Sequence, residues 1–238
     1  MRPWWAARWC PAWWPRARCS SIRKGSGCVV ESYLRQSALA HLGLEARGPS
    51  SQEGAPVRLT EKVLPAAVNL RGDPADEAFL AAVHQALGVA LPLEPNRVES
   101  SERIAVLWLG PNEWLAVSHD SEPTAESRLA ERLREALGAF HAAVTEVGES
   151  LACIHIAGPR AADVIAKGCP LDLHPGVFAA GHCAQSHIAK AAVTLHNVSD
   201  AGGSGAAAGP GYDLYTRRSF SDYLWRWLSD AAREYFGA

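Results

Sequence analysis

Two hydrophobic periods alternate along the chain from Tyr33 onward, one suited to strands and one to helices. The run "VRLTEKVLPAAVNLRG" (57–72) alternates apolar and polar residues and predicts strand. In "DPADEAFLAAVHQALG" (73–88) the apolar residues Phe79, Val83, Ala86 and Leu87 recur at helical spacing. Asp73 is the expected N-cap of that helix, with Pro74 in its first turn. "RIAVLWLGPNEWLAVS" (103–118) is two apolar runs joined at Gly110-Pro111-Asn112, a hairpin pattern. "PTAESRLAERLREALG" (123–138) predicts a charged helix with a Leu129/Leu133/Leu137 stripe and a stop at Gly138. "HAAVTEVG" (141–148) closes the series as a strand. The order is β-α-β-β-α-β, the ferredoxin-like arrangement.

The second half has the same grammar. "LACIHIAG" reads as a buried strand and "PRAADVIAKG" as a short helix opened by Pro159. "HCAQSHIAKAAVTLHNVS" gives one or two strands, "YDLYTRR" another, and "SFSDYLWRWLSDAAREYFG" a closing helix. Both halves run strand, Gly, Pro-started helix, Gly, and a Pro-Leu turn. The expected fold class is therefore α+β, two similar ferredoxin-like units packed together. The expected domains are an N-terminal extension 1–31, a first unit 32–147 and a second unit 148–238.

Composition adds limits. The net charge is −2, so no global basic field recruits nucleic acid. No apolar run approaches the ~20 residues that span a bilayer. Residues 1–31 differ from the rest: Trp4, Trp5, Trp9, Trp13 and Trp14 lie there, and the first acid is Glu31. Arg8, Pro11 and Pro15 interrupt every candidate secretory segment. A basic, Trp-rich stretch suits a membrane interface; the alternatives are disorder or a misplaced start. Met1 is the only methionine, and translation from Val29 or Val30 is the expectation. Cys10, Cys19 and Cys28 share this segment, so the six cysteines form no disulfide framework, and the cytoplasm is the expected compartment.

Candidate chemistry thins out on inspection. Gly203 to Ala208 fits G-x-G-x-x-A, yet Pro210 and a strand pattern follow where a dinucleotide site requires a helix. His119 and Asp120 sit at a strand end and read as a solvated turn. His84 and His155 read as packing residues with ordinary hydrogen bonds. Cys169, Asp172, His174, His182, Cys183 and His187 are potential zinc ligands by type, but they lack C-x-x-C or H-x₃₋₅-H spacing. Adjacent His182 and Cys183 would point to opposite faces of a strand. A Gly-Cys-Pro turn, an Asp172 backbone cap and a His-Pro-Gly turn account for that segment without a metal. No catalytic, cofactor-binding or metal-binding residue is assigned. In the last helix, Phe220, Leu224, Trp227, Leu228 and Ala231 form the expected core stripe. Trp225 falls off it and is a candidate partner contact, as is Trp114 if it faces outward.

"LWLGPNEWLAVS", "IAGPRAADVIAKGCPLDLHPGVFAAGHCAQSHIAK" and "YTRRSFSDYLWRWLSDAAREY" together resemble the gamma subunit of heterotetrameric sarcosine oxidase. The resemblance covers most of residues 33–238. The leader, the Gly/Ala insertion 201–211 and Ser221 depart from its pattern. It implies a fold similar to the folate-binding part of the glycine-cleavage T-protein. It also implies a non-catalytic structural role in a complex that oxidatively demethylates sarcosine to glycine. FAD, FMN, NAD, tetrahydrofolate and zinc are then expected on the other subunits, and the partners are alpha, beta and delta. A folate-binding T-protein-like protein acting on its own is the alternative.

Overall fold

The structure, a computed structural model, describes residues 36–44, 55–64, 66–119, 125–199 and 209–235, all within one compact unit, Gln36–Ala238. Residues 1–31 and the Gly-rich 203–208 lie outside the described residues. Among the described residues, ten strands and four α-helices follow in order. They are β1 (Arg58–Lys62), β2 (Ala66–Arg71), α1 (Glu77–Leu87), β3 (Val98–Ser100), β4 (Ile104–Gly110), β5 (Glu113–Ser118), α2 (Ala125–Leu137) and β6 (Ala143–Glu146). Then come β7 (Leu151–Ala157), α3 (Ala161–Ala166), β8 (Cys183–Ile188), β9 (Ala191–Asn197), β10 (Gly211–Arg217) and α4 (Ser221–Ala231).

The strands form two antiparallel sheets. One has the order β3-β4-β5-β2-β6 and the other β8-β9-β10-β7-β1. Written this way the sheets correspond strand for strand, each with a helix after its fourth and its third strand. In the first sheet β6 follows α2 along the chain. Its counterpart β1 precedes the whole first sheet and pairs with β7, Thr60 opposite His155 and Lys62 opposite Cys153. The second unit is thus completed by a strand borrowed from the N-terminal side. The run 57–72, a single strand by its alternation, is two strands in two different sheets. Pro65, which has no backbone N–H, stands between them in the sequence.

Alternation assigns the faces. Ala66, Val68, Leu70, Trp114 and Ala116 face α1 and α2, against Phe79, Val83, Leu129 and Leu133. Ile154, Ile156, Tyr212 and Leu214 face α3 and α4, against Val164, Ile165, Leu224 and Leu228. The opposite faces of the two sheets meet in a third cluster holding Ala67, Leu107, Leu115, Val117, Cys153, Cys183 and Tyr215. The layers run helix, sheet, sheet, helix. The two first strands also touch at their starts, where Cys183 donates to the Asn96 carbonyl at 2.8 Å and Val98 to Gly181 at 2.9 Å.

Two expectations shift locally. The cap of α1 is Asp76, whose Oδ1 accepts from Ala78 and Phe79; Asp73 closes its own turn by accepting from Ala75. That register turns Phe79 inward, where its ring lies 6.2 Å from those of Trp114 and Phe140. His84 is exposed in the last turn of α1 and takes no part in the core.

Candidate functional site

On the inward face of the second sheet, one row of side chains runs across the strands: Thr60, His155, Asp213, His196 and Cys183. Strand geometry dictates the row, because opposed residues on neighbouring strands share a face. The next row holds Lys62, Cys153 and Tyr215. Asp213 is 1% exposed and both of its oxygens are engaged. His155 Nδ1 is 2.6 Å from Oδ1, and Lys62 Nζ donates to Oδ2 at 2.8 Å. Burial pushes the Asp213 carboxyl up, but His155 and Lys62 outweigh it, and the group is held as the anion below its ordinary range.

Around this ion cluster the surroundings keep other groups neutral. Burial lowers His196 to about 4 despite the neighbouring carboxylate, and among the described residues its Nδ1 has no hydrogen-bond partner. Burial likewise pushes the Cys153 thiol and the Tyr215 phenol well up, with Asp213 adding to both. A cleft of about 290 Å³ opens beside the cluster, lined by Lys62, Val63, Leu64, Val117, Ser118, His119, Cys153, Asp213 and Tyr215. The arrangement is an anchored carboxylate with a histidine and a lysine that satisfy it from two strands. Its first chemical consequence is to fasten β1 and β7 to β10.

The other sequence candidates are dispersed. Cys169 is buried, 3.8 Å from Ser186 Oγ. Asp172 accepts from the His174 N–H at 2.9 Å, the expected local cap, and His174 Nδ1 accepts from Gly176. His182 packs edge-on against Phe178 and meets the Arg97 guanidinium, while Cys183 donates to the Arg97 and Trp108 carbonyls. His187 points out from β8. Among the described residues no group of three His, Cys, Asp or Glu side chains gathers in metal-binding geometry. His119 is exposed at the cleft, and Asp120 lies outside the described residues.

Trp114 does not face outward. It is fully buried, and its indole N–H donates to the Pro92 carbonyl at 2.8 Å, because β5 directs it to the helix side of its sheet. Trp225 is half-buried and packs from α4 onto the second core. The buried face of α4 holds Ser221, Leu224 and Leu228; of the expected stripe, Trp227 and Ala231 pack against the same core, and Phe220 is exposed. Sequence reasoning missed Asp213 and Lys62. The available signal was the charge in "YDLY": an acid flanked by apolar strand residues is buried only when paired.

A family model described as "Sarcosine oxidase, gamma subunit family" matches residues 71–234. Sarcosine oxidase subunit gamma of Corynebacterium sp. (strain P-1) is 32% identical over 212 residues, 88% of this chain and 96% of that protein. The corresponding protein of an Arthrobacter species matches over the same shares at 32% identity. A chain in the solved heterotetrameric sarcosine oxidase from Corynebacterium sp. U-96, in complex with pyrrole 2-carboxylate, superposes with a TM-score of 0.72 at 30% identity, over 86% of this chain and 98% of that one. Glycine cleavage system aminomethyltransferase T from Bartonella henselae shares the fold, with a TM-score of 0.51 at 16% identity over 73% of this chain and 45% of that one.

Proposed function

Since the chain belongs to the sarcosine oxidase gamma subunit family, we propose that it is a non-catalytic, assembly-forming subunit of a heterotetrameric oxidase acting on sarcosine. The observation that carries this reading is the match to a chain of a heterotetrameric enzyme over 98% of that chain's length. The partners in this proposal are the alpha, beta and delta subunits, in the cytoplasm. FAD, FMN, NAD, tetrahydrofolate and zinc are assigned to those subunits. The two halves, 32–147 and 148–238, act as one body, with Arg58–Lys62 lent by the first to the second.

The seam chemistry supports a structural role. Both oxygens of Asp213 are taken by groups of the same chain, and burial holds Cys153 and Tyr215 protonated. A group already satisfied stabilises the fold and has little capacity left for a substrate. The isolated chain is expected to be colourless, to form no product from sarcosine, and to bind no tetrahydrofolate analogue. Absorbance, an oxygen-electrode assay and titration calorimetry check these three outcomes. Turnover by the chain alone would refute the non-catalytic role, and folate binding would favour an independent T-protein-like protein.

A further inference from the structure

The cleft beside Asp213 adjoins a group that the ion cluster does not account for. His196 is 7% exposed, and among the described residues its Nδ1 meets no hydrogen-bond partner. A buried imidazole nitrogen left unpaired costs free energy, because water satisfies it in the unfolded chain. His196 stands opposite Asp213 in the β9–β10 register, so the two share the inward face. The charged and titratable groups that act on it are Asp213, Lys62 and His119, and all three line the cleft. The unpaired nitrogen thus belongs to the polar end of that cleft.

Size, donors and charge set the chemistry of an occupant. The volume, about 290 Å³, lies at the lower end for ligand pockets and suits a small molecule. Lys62 is partly exposed and keeps two N–H groups after its bond to Asp213. The opposing wall is apolar, formed by Val63, Leu64 and Val117, with Val63 73% exposed at the opening. The charges of the cleft are already matched, Lys62 with Asp213, and burial keeps His196, Cys153 and Tyr215 uncharged. A charged guest would add an unpaired charge to that setting. An uncharged amide avoids this. Its carbonyl accepts from Lys62, and its N–H and carbonyl between them satisfy Nδ1 of His196 in either tautomer.

We propose that this cleft is a binding site for a small uncharged amide with a branched apolar body. Lys62 and His196 hold the amide group, and Val63, Leu64 and Val117 receive the body. Asp213 serves only to orient Lys62, since its own oxygens are taken. The site lies within this one chain, goes beyond the subunit reading and does not depend on it.

The test titrates isovaleramide into the full chain carrying isotope-labelled histidine and follows the imidazole signals by NMR. The His196 signals, assigned by their loss in His196→Phe, should shift saturably, while those of the exposed His141 and His187 stay fixed. Isovalerate and isoamylamine, which carry the same body with a charge, should bind about tenfold more weakly or worse. His196→Phe removes the unpaired nitrogen but keeps a ring, and Val63→Asp places a charge on the apolar wall at an exposed position. Each should weaken isovaleramide binding by about tenfold or more in calorimetry, with thermal melts close to wild type. The ligand series on the wild-type chain decides the matter even where a variant folds poorly. His196 signals that do not move overturn the site. So does wild-type affinity in either folded variant, or a charged analogue that binds as tightly as the amide. None of these readings involves the other subunits, so their failure leaves the subunit reading standing.

Discussion

Asp213 persists as a carboxylate at 1% exposure because Lys62 and His155 reach it from two neighbouring strands. Asp213→Asn removes the charge but leaves its partners in place, and should cost about 2–4 kcal/mol of unfolding free energy. Lys62→Met leaves His155 as a partner and should cost less, about 1–2 kcal/mol. Urea unfolding of both variants checks the order. The pH dependence has two windows. His196 binds its proton at about 4 in the folded chain against an ordinary 6.5, so the unfolded chain takes up the proton first as pH falls. Stability should decline from about pH 6.5 to 4 through this residue, by up to about 3 kcal/mol. His196→Asn should flatten that stretch, and an unchanged slope would count against it. Asp213 works at lower pH, since its folded-state pKa is depressed. Its contribution is present above the ordinary carboxylate value near 3.8 and is lost as pH falls through the lowered one. At this scale the stripes of Phe79, Val83 and Leu129 were legible from spacing. The Lys62–Asp213 contact was not, because 151 residues separate the partners and only the sheet order brings them together.

Helix ends and faces were legible to within one turn. "DPADEAF" offers two capping acids, and Pro74 in the first turn favours Asp73. Packing of Phe79 against Trp114 and Phe140 selects Asp76 instead. Asp76→Ala should therefore destabilise by about 1 kcal/mol, and Asp73→Ala by a smaller amount. Thermal melts of the two variants decide between the registers. In α4 the apolar residues span most of the helix, and spacing alone does not show that Trp225, off the stripe, packs on the same core as Trp227 while Phe220 is exposed. The sheet beneath buries Leu224 and Leu228 fully and leaves Trp225 and Trp227 partly covered. Ser221 lies on that buried face as well. It is 2% exposed, and its hydroxyl donates to the Arg218 carbonyl at 2.8 Å where the helix begins. Gly168 is constrained by the same helix: Gly168→Ala drives a methyl into Trp227 and should cost about 1–3 kcal/mol, read by denaturant unfolding.

The whole molecule is two corresponding sheets joined by one exchanged strand. The first β-α-β-β-α-β series could be read from the chain apart from the short added edge strand Val98–Ser100, while the second was short of its last strand, and local pattern gave no means of finding it in residues 58–62. Residues 36–42 extend the exchange. Leu39 is buried in the second core, and Glu61 accepts from Ser37 Oγ at 2.9 Å and from the Leu39 N–H at 3.1 Å. A chain begun at Ala66 keeps every strand of the first sheet yet strips β1 from the second, exposing β7 as an edge. It should lose the cooperative unfolding transition of the full chain, whereas a chain begun at Gln36 should retain it; circular dichroism melts compare them. The central claim is that this body exists to join a larger oxidase. The most direct measurement is co-expression with the other sarcosine oxidase subunits, followed by size exclusion monitored at the flavin absorbance. The chain should elute with the flavin peak in one-to-one ratio with the larger subunits. Elution of the chain apart from the flavin, as a free species, would contradict the claim.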